Sequence, residues 1–298
     1  MIGPMLLTLL LAADSAHVRR VVVAPAETVQ VTEAGAGHPV VLVPGLFGAA
    51  YGFRKLAPGL HAAGFRTVVV EPLGIGWSSR PANADYTLTA QANRVAAVLD
   101  SLHLRQVVVV AHAVGASIAL RLAYRRPDLV AGVIALEGGT AEAAATPGFR
   151  RSMVLAPWVR IFGGIGRLRR EIRHSLIVAS ADTAWVTDES VAGYTAGAAT
   201  DLSVTLRAFQ RMARAREPEA LAPHLPAIQC PVRLLIGGGP HQHSFNDHDV
   251  AVLRGGLRIF AVDTVAGAGL YMHEERPEAI VRSVATLWQH IASERKSR

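Results

Sequence analysis

Short runs of apolar residues alternate with helically spaced segments through most of the chain. After residue 18, "VRRVVVAPAETVQVTEAG" alternates with a period of two and predicts a hairpin of two strands. Four apolar runs follow, "HPVVLVP", "RTVVVEP", "QVVVVA" and "LVAGVIAL", separated by helical spacing in "YGFRKLAPGLHAAGF" and two later segments. Continuous apolar runs of this length are typical of strands covered on both faces. The pattern predicts an α/β domain with a mainly parallel sheet flanked by helices.

The pattern changes between residues 140 and 222, where the spacing is helical throughout. Strand patterns resume with "CPVRLLIGGG" and "LRIFAVDTV", and the chain ends in a helical segment, "RPEAIVRSVATLWQHI". We therefore predict a core of residues 18–139 and 223–298, interrupted by a helical insertion of residues 140–222 after the fourth buried strand.

Residues 1–17 are predicted to be an N-terminal apolar extension or a signal-like segment. The apolar run Met5–Ala13 is shorter than the roughly 20 residues that cross a bilayer. The "ADS" at the end of the run supplies small residues for a cleavage site. A signal peptide also has a basic residue before its apolar run, and none precedes this one. Cytoplasmic location and export by a weak signal therefore both remain open.

Composition narrows the class of protein. Hydrophobic residues make up 51% of the chain and charged residues 18%, which favours a packed globular protein over disorder. The single cysteine, Cys230, excludes an intramolecular disulfide and a cysteine-based metal cage. No cofactor or metal motif is recognised, so neither a cofactor nor a metal is predicted.

Positive charge is concentrated in the predicted insertion. The net charge is +7, and residues 149–174 contain seven arginines and one acid, so this segment alone contributes +6. No aromatic–basic motif accompanies the arginines, which argues against a nucleic-acid partner. Two interpretations remain: a helix pair with solvated arginines, or weak contact of an Arg-rich cap with an anionic membrane surface.

Four motifs carry a family resemblance: "VVLVPGLFG", "EPLGIGWSSRP", "AHAVGASIALRLAYRRPDLV" and "GAGLYMHEERPEAI". Their order and spacing resemble those of the α/β-hydrolase superfamily over about residues 18–291. The resemblance is greatest to the branch of esterases, epoxide hydrolases, haloalkane dehalogenases and carbon–carbon bond hydrolases. It implies the α/β-hydrolase fold, with residues 140–222 as a helical cap.

The resemblance also implies where a catalytic triad would stand. The nucleophile position is Ala113, the acid position is Pro240 and the histidine position is Leu270. None of these side chains can attack a substrate or move a proton. Because all three positions differ, the sequence is interpreted as having a degenerate triad, as in a pseudoenzyme, and not as a hydrolase with one substituted nucleophile.

Two hypotheses for function follow from the resemblance. Backbone N–H groups of Leu46 and Val114 would form the oxyanion hole. With Ala113 and Leu270 they would line a pocket for a small apolar molecule, which makes the chain a pseudo-hydrolase or binder. The alternative is an active hydrolase, lyase or isomerase that uses non-standard residues, for which the candidates are Glu137, His241 and His243. His112 and His273 are assigned structural roles.

Overall fold

The computed structural model describes residues 16–143, 164–242 and 247–297. In this part of the chain the strands are β1 (His17–Ala24), β2 (Glu27–Ala34), β3 (His38–Val43), β4 (Phe65–Val70), β5 (Val107–His112), β6 (Val130–Leu136), β7 (Val232–Gly237) and β8 (Phe260–Val265). They form one sheet in the order β1-β2-β4-β3-β5-β6-β7-β8. β1 and β2 pair as the predicted antiparallel hairpin, and β2 also runs antiparallel to β4. All pairs from β4 to β8 are parallel, which confirms the predicted sheet.

The described helices are α1 (Ala57–Ala62), α2 (Leu88–Ser101), α3 (Val114–Arg125), α4 (Gly164–Val178), α5 (Asp188–Thr200), α6 (Leu202–Arg214), α7 (Asp247–Gly256), α8 (Met272–Glu275) and α9 (Pro277–Lys296). The single helix that the spacing predicts near residues 51–65 is wrong. The structure has a 3₁₀ turn, Ala50–Phe53, and then the short helix α1. Pro58 explains the break, because proline has no N–H and is tolerated only in the first turn of a helix.

Two apolar layers cover the central strands. Every residue of β5 is buried, and its side chains alternate between the layers. Val107, Val109 and Ala111 pack with the α2 and α3 side of the sheet. Val108 and Val110 pack with α1 and α9 on the other side. Burial on both faces explains why the sequence of such a strand is continuously apolar.

Three helices, α4 to α6, lie between β6 and β7 in sequence and cover two further apolar clusters. In the described part of the predicted insertion, no strand occurs. Residues 144–163, which carry three of the clustered arginines, lie outside the described residues, as does nearly all of the N-terminal segment. The residue bounds of core and cap, 18–139, 140–222 and 223–298, remain a prediction. None of the helices in the described ranges combines the length and apolarity needed to cross a membrane.

Candidate functional site

A strained turn joins β5 to α3. Ala113 lies between them with φ 49° and ψ −121°, a conformation that non-glycine residues rarely adopt. Its neighbours are small because strand and helix nearly touch. Ala111 is fully buried, and a Cβ on Gly115 would lie 2.8 Å from the Val43 carbonyl oxygen and 2.9 Å from that of Pro44. The turn therefore presents Ala113 above the carboxyl end of the sheet, where α/β proteins place their ligand sites.

The loop after β3 lies against this turn. A Cβ on Gly45 would be 3.4 Å from the Cβ of Ala113, so no side chain separates the two segments. Leu46 and Val114, the two predicted backbone donors, line one pocket with about 290 Å³ of empty space, its open mouth included. Val114 is the first residue of α3, where a helix N–H has no acceptor within the helix. The lining comprises Pro44, Gly45, Leu46, Pro72, Ile75, Tyr86, Leu88, Gln91, Val114, Ile118 and Met212.

The polar side chains of this pocket are already engaged by the protein. The Gln91 side chain accepts a hydrogen bond from the Leu73 N–H and donates one to the Leu73 carbonyl, each at 2.9 Å. The Tyr86 hydroxyl donates to the Pro81 carbonyl at 3.0 Å, and burial raises the pKa of Tyr86 to about 12. Tyr86 therefore stays neutral. The remaining walls are mostly apolar, which favours a ligand with little polar surface.

Leu270 lies close to the turn through the backbone. The Nε2–H of His112, the residue before Ala113, donates to the Leu270 carbonyl at 3.0 Å. The Leu270 N–H donates to the Ala179 carbonyl at 2.9 Å, which joins this loop to the end of α4. The Leu270 side chain packs against a cluster of buried residues between cap and core, which includes Trp185, Tyr194 and Tyr271. An aliphatic side chain suits that position.

Pro240 has a different setting. It follows β7 and is exposed, while the N–H of the preceding Gly239 donates to the Ala268 carbonyl at 2.9 Å. The structure thus places Leu270 near the turn and Pro240 at the surface of the adjoining loop. Neither residue carries a titratable side chain.

Two alternative candidates, Glu137 and His241, form a buried pair. Glu137 follows β6 in the left-handed region, with φ 47°, and its Oε1 accepts from the Gly237 N–H. The His241 Nε2 lies 3.6 Å from this Oε1, and the two side chains are 1% and 0% exposed. The His241 Nδ1–H donates to the Gly239 carbonyl at 2.8 Å. Both ring nitrogens therefore face acceptors of the protein. His243 lies outside the described residues.

A second polar cluster, which the sequence did not reveal, lies behind the turn. The rings of His112 and His273 are 4.5 Å apart. The Tyr194 hydroxyl, from α5, lies 3.3 Å from the His273 Nε2 and donates to Glu274 at 3.0 Å. Arg54 forms an ion pair with the same carboxylate. The cluster joins core and cap through residues far apart in sequence.

Burial sets the charge state of this cluster. It lowers the pKa of His112 to about 4, although the hydrogen bond to Leu270 opposes the shift. Burial and the neighbouring His112 lower the pKa of His273 well below its ordinary value. Burial and the Glu274 carboxylate raise the pKa of Tyr194. Both histidines are therefore neutral near pH 7.

Arg121 on α3 joins the two ends of the cap. Its side chain is fully buried, and its guanidinium donates to the Ala141 carbonyl at 3.1 Å and to Glu142 at 2.8 Å, next to the cap entry. It also lies 3.4 Å from Glu217, which follows α6. The Glu217 carboxylate accepts from the N–H groups of Leu88 and Thr89 at the start of α2. We refer to this arrangement as the Arg121 clamp. Sequence reasoning missed it.

Metal ligands are not assembled in the described part of this site. Among the residues that the structure describes, no group of three or more histidine, cysteine, aspartate or glutamate side chains is placed to hold a metal ion. The chemistry that the described geometry offers consists of backbone donors, an apolar pocket and buried polar pairs.

Comparisons with known proteins agree with this architecture. The profile of the alpha/beta hydrolase fold family matches residues 38–156. A 2-hydroxymuconate semialdehyde hydrolase of Pseudomonas sp. (strain CF600) is 32% identical over 121 residues, which are 39% of this chain and 42% of that protein. A haloalkane dehalogenase of Psychrobacter cryohalolentis is 38% identical over 98 residues, 33% of this chain and 32% of the dehalogenase. The matched segments thus span less than half the length of these relatives.

Solved structures resemble nearly the whole chain. The epoxide hydrolase CorEH superposes with a TM-score of 0.77 and 18% identity, covering 93% of this chain and 100% of that one. The haloalkane dehalogenase DbeA of Bradyrhizobium elkani USDA94 superposes with a TM-score of 0.71 and 23% identity, covering 94% and 99%. At such identities the likeness establishes the fold alone. Together with the profile match, the sheet order and the turn at Ala113, it shows that the chain has the α/β-hydrolase fold.

Proposed function

We propose that this chain is a pseudo-hydrolase that binds a small, mainly apolar ligand beside Ala113 and forms no acyl-enzyme. One observation carries the proposal. A side chain without a nucleophilic atom stands at the strained turn, while Leu46 and Val114 still line a pocket there. Backbone donors of this kind bind a carbonyl oxygen whatever side chains surround them.

The other triad positions support the same conclusion. General-base catalysis requires a group that accepts a proton from the nucleophile. Leu270 packs its side chain in an apolar cluster, and Pro240 is exposed. Neither residue supplies such a group. The names of the relatives, which include a semialdehyde hydrolase, a haloalkane dehalogenase and an epoxide hydrolase, are consistent with a small organic ligand.

Binding is tested with 2-hexanone as the probe, because it combines one carbonyl with a short apolar chain. We expect saturation-transfer NMR to show contact of its methyl protons with the protein. Met212→Phe narrows the pocket from the cap side and should abolish the signal. Ile259→Phe, at a side chain 43% exposed, is the matched control and should retain it. Equal signals in both variants would show that the probe binds elsewhere.

Chemistry is tested by restoring the missing groups. Ala113→Ser alone should hydrolyse p-nitrophenyl butyrate no faster than the parent chain and should not react with a fluorophosphonate. Ala113→Ser with Pro240→Asp and Leu270→His should be faster than Ala113→Ser by about 10²–10⁴-fold, the usual contribution of a positioned general base. Replacing Leu270→His by Leu270→Asn in this variant is the control, since asparagine accepts no proton. A folded triple variant without turnover would contradict a preserved oxyanion pocket.

One observation favours the alternative of a hydrolase, lyase or isomerase with non-standard residues. Glu137 and His241 form a buried acid–imidazole pair. However, in the present arrangement both ring nitrogens are directed at Glu137 and the Gly239 carbonyl, so neither points to a substrate. Labelling of the Ala113→Ser variant by a fluorophosphonate, with loss of labelling on His241→Gln, would support this alternative over ligand binding.

A further inference from the structure

Helix α4 presents a charged face to solvent. Arg167, Arg170, His174 and Ile177 follow one another at spacings of three, four and three residues, which place them on one side of a helix. All four are exposed, and Ile177 keeps 41% of its surface accessible. The opposite side buries Ile172 and Leu176 in the cap. We call the exposed side the α4 stripe.

The stripe carries positive charge that pairs with no acidic side chain among the described residues. Helix α4 contains four arginines and one glutamate, for a net charge of +3 with histidine neutral. Arg173 pairs with Asp188 of α5, and Arg169 donates to Thr195 of the same helix at 3.3 Å. Within the described ranges, Arg167 and Arg170 form no ion pair, so their charge is available to an anionic partner.

We infer that the α4 stripe docks the cap on an anionic lipid surface. An amphipathic helix with arginines and an exposed aliphatic residue on one side combines the two forces that hold a protein at such a surface. Each arginine near an anionic leaflet contributes on the order of 1 kcal/mol, which is about fivefold in binding. Ile177, about two helical turns beyond Arg170, lies where it would enter the headgroup region. A nucleic acid would use the arginines but not Ile177, so the exposed isoleucine favours the lipid.

The test measures sedimentation of the full chain with vesicles of pure phosphatidylcholine and with vesicles containing 30 mol% phosphatidylglycerol. We expect binding to the anionic vesicles to exceed binding to the neutral ones and to fall with added salt. Arg167→Gln with Arg170→Gln should weaken anionic binding about 25-fold, which is fivefold for each arginine. Ile177→Ser should weaken the binding that remains at high salt.

Two controls separate this surface from other causes. Arg207→Gln with Arg211→Gln removes the same charge from exposed positions of α6 and should leave vesicle binding within about twofold. An equal loss in both double variants would show that net charge alone acts and would overturn the inference. The apolar run Met5–Ala13 would bind neutral and anionic vesicles alike. Only the difference in bound protein between the two kinds of vesicle therefore measures the contribution of the α4 stripe.

A 20-base-pair DNA duplex provides the competing outcome. Tighter binding of the duplex than of the anionic vesicles at the same salt, abolished by the Arg167 and Arg170 changes, would assign the stripe to nucleic acid. Unchanged binding of the double variant to anionic vesicles would likewise overturn the inference. Each variant should fold, because all the substituted residues are exposed. Circular dichroism and thermal melting check this.

Discussion

Arg121→Leu should destabilise the protein more than any single change at its surface. The guanidinium of Arg121 is fully buried, and it connects α3 with both ends of the cap through Glu142 and Glu217. Leucine fills similar space without supplying a charge or a hydrogen-bond donor. The change leaves the Glu217 carboxylate, only 5% exposed, without its cationic neighbour.

The expected loss follows from the cost of an uncompensated buried charge. Removing one partner of a buried ion pair costs roughly 3–5 kcal/mol. Glu217 retains the N–H donors of Leu88 at 2.6 Å and Thr89 at 3.1 Å, which places the expectation at the lower end, about 3 kcal/mol. In a chain of this size, each kcal/mol lowers the melting temperature by about 2–4 °C, so a drop of roughly 10 °C is expected.

Arg125→Leu is the matched control, because Arg125 lies one turn further along the same helix. It pairs with Glu219, and the two side chains are 37% and 35% exposed. Exposed pairs contribute about 0–1 kcal/mol. Urea unfolding followed by circular dichroism gives both free energies. A loss below about 1 kcal/mol for Arg121→Leu, or equal losses in the two variants, would refute the assignment of the clamp as a buried ionic tie.

Three further predictions concern the turn and its surroundings. Burial lowers the pKa of His112 from 6.5 to about 4, so its neutral form contributes fully to the free energy of unfolding above pH 6.5. That free energy should fall by about 1.4 kcal/mol per pH unit between pH 6.5 and pH 4. Urea unfolding of His112→Gln should show a shallower fall, and an equal slope in both proteins would contradict a neutral buried ring. Gly115→Ala should lower the free energy of unfolding by about 2 kcal/mol or more, because the added Cβ would lie 2.8 Å from the Val43 carbonyl oxygen. In the control Gly166→Ala the added Cβ has nothing within 4 Å, so thermal melts should show a stabilisation of about 0.5–1 kcal/mol. Ala113→Gly should raise stability by about 1 kcal/mol, because glycine relieves the positive φ; a loss of stability would show that the turn is not strained.

Local sequence patterns were sufficient to predict the sheet. Four apolar runs identified buried strands because both faces of those strands are covered. The family resemblance placed the nucleophile position at Ala113, and the structure has a strained turn at that residue. The prediction of one helix near residues 51–65 was wrong because helical spacing does not take account of the missing N–H of Pro58.

Local sequence patterns could not predict the long-range polar contacts. The clamp joins Arg121 to residues that lie 20 to 96 positions further along the chain, and an arginine within an apolar helix segment gives no local sign of burial. The sequence selected Glu137 and His241 separately, but their pairing depends on how the loop after β7 folds over the end of β6. Tyr194 and Glu274 gave no signal at all, since their roles arise only where α5 meets α8.

The small residues around Ala113 do not by themselves argue for a preserved function. Gly115 is required by the carbonyls of Val43 and Pro44, so the packing of β3 against α3 would retain it in any protein of this fold. The residue at the turn is different, because packing alone would be served at least as well by glycine at φ 49°. An alanine there keeps the strain and adds a methyl group beside Gly45. Under the proposed function, that methyl group would serve the ligand in the adjoining pocket, which Leu46 and Val114 line.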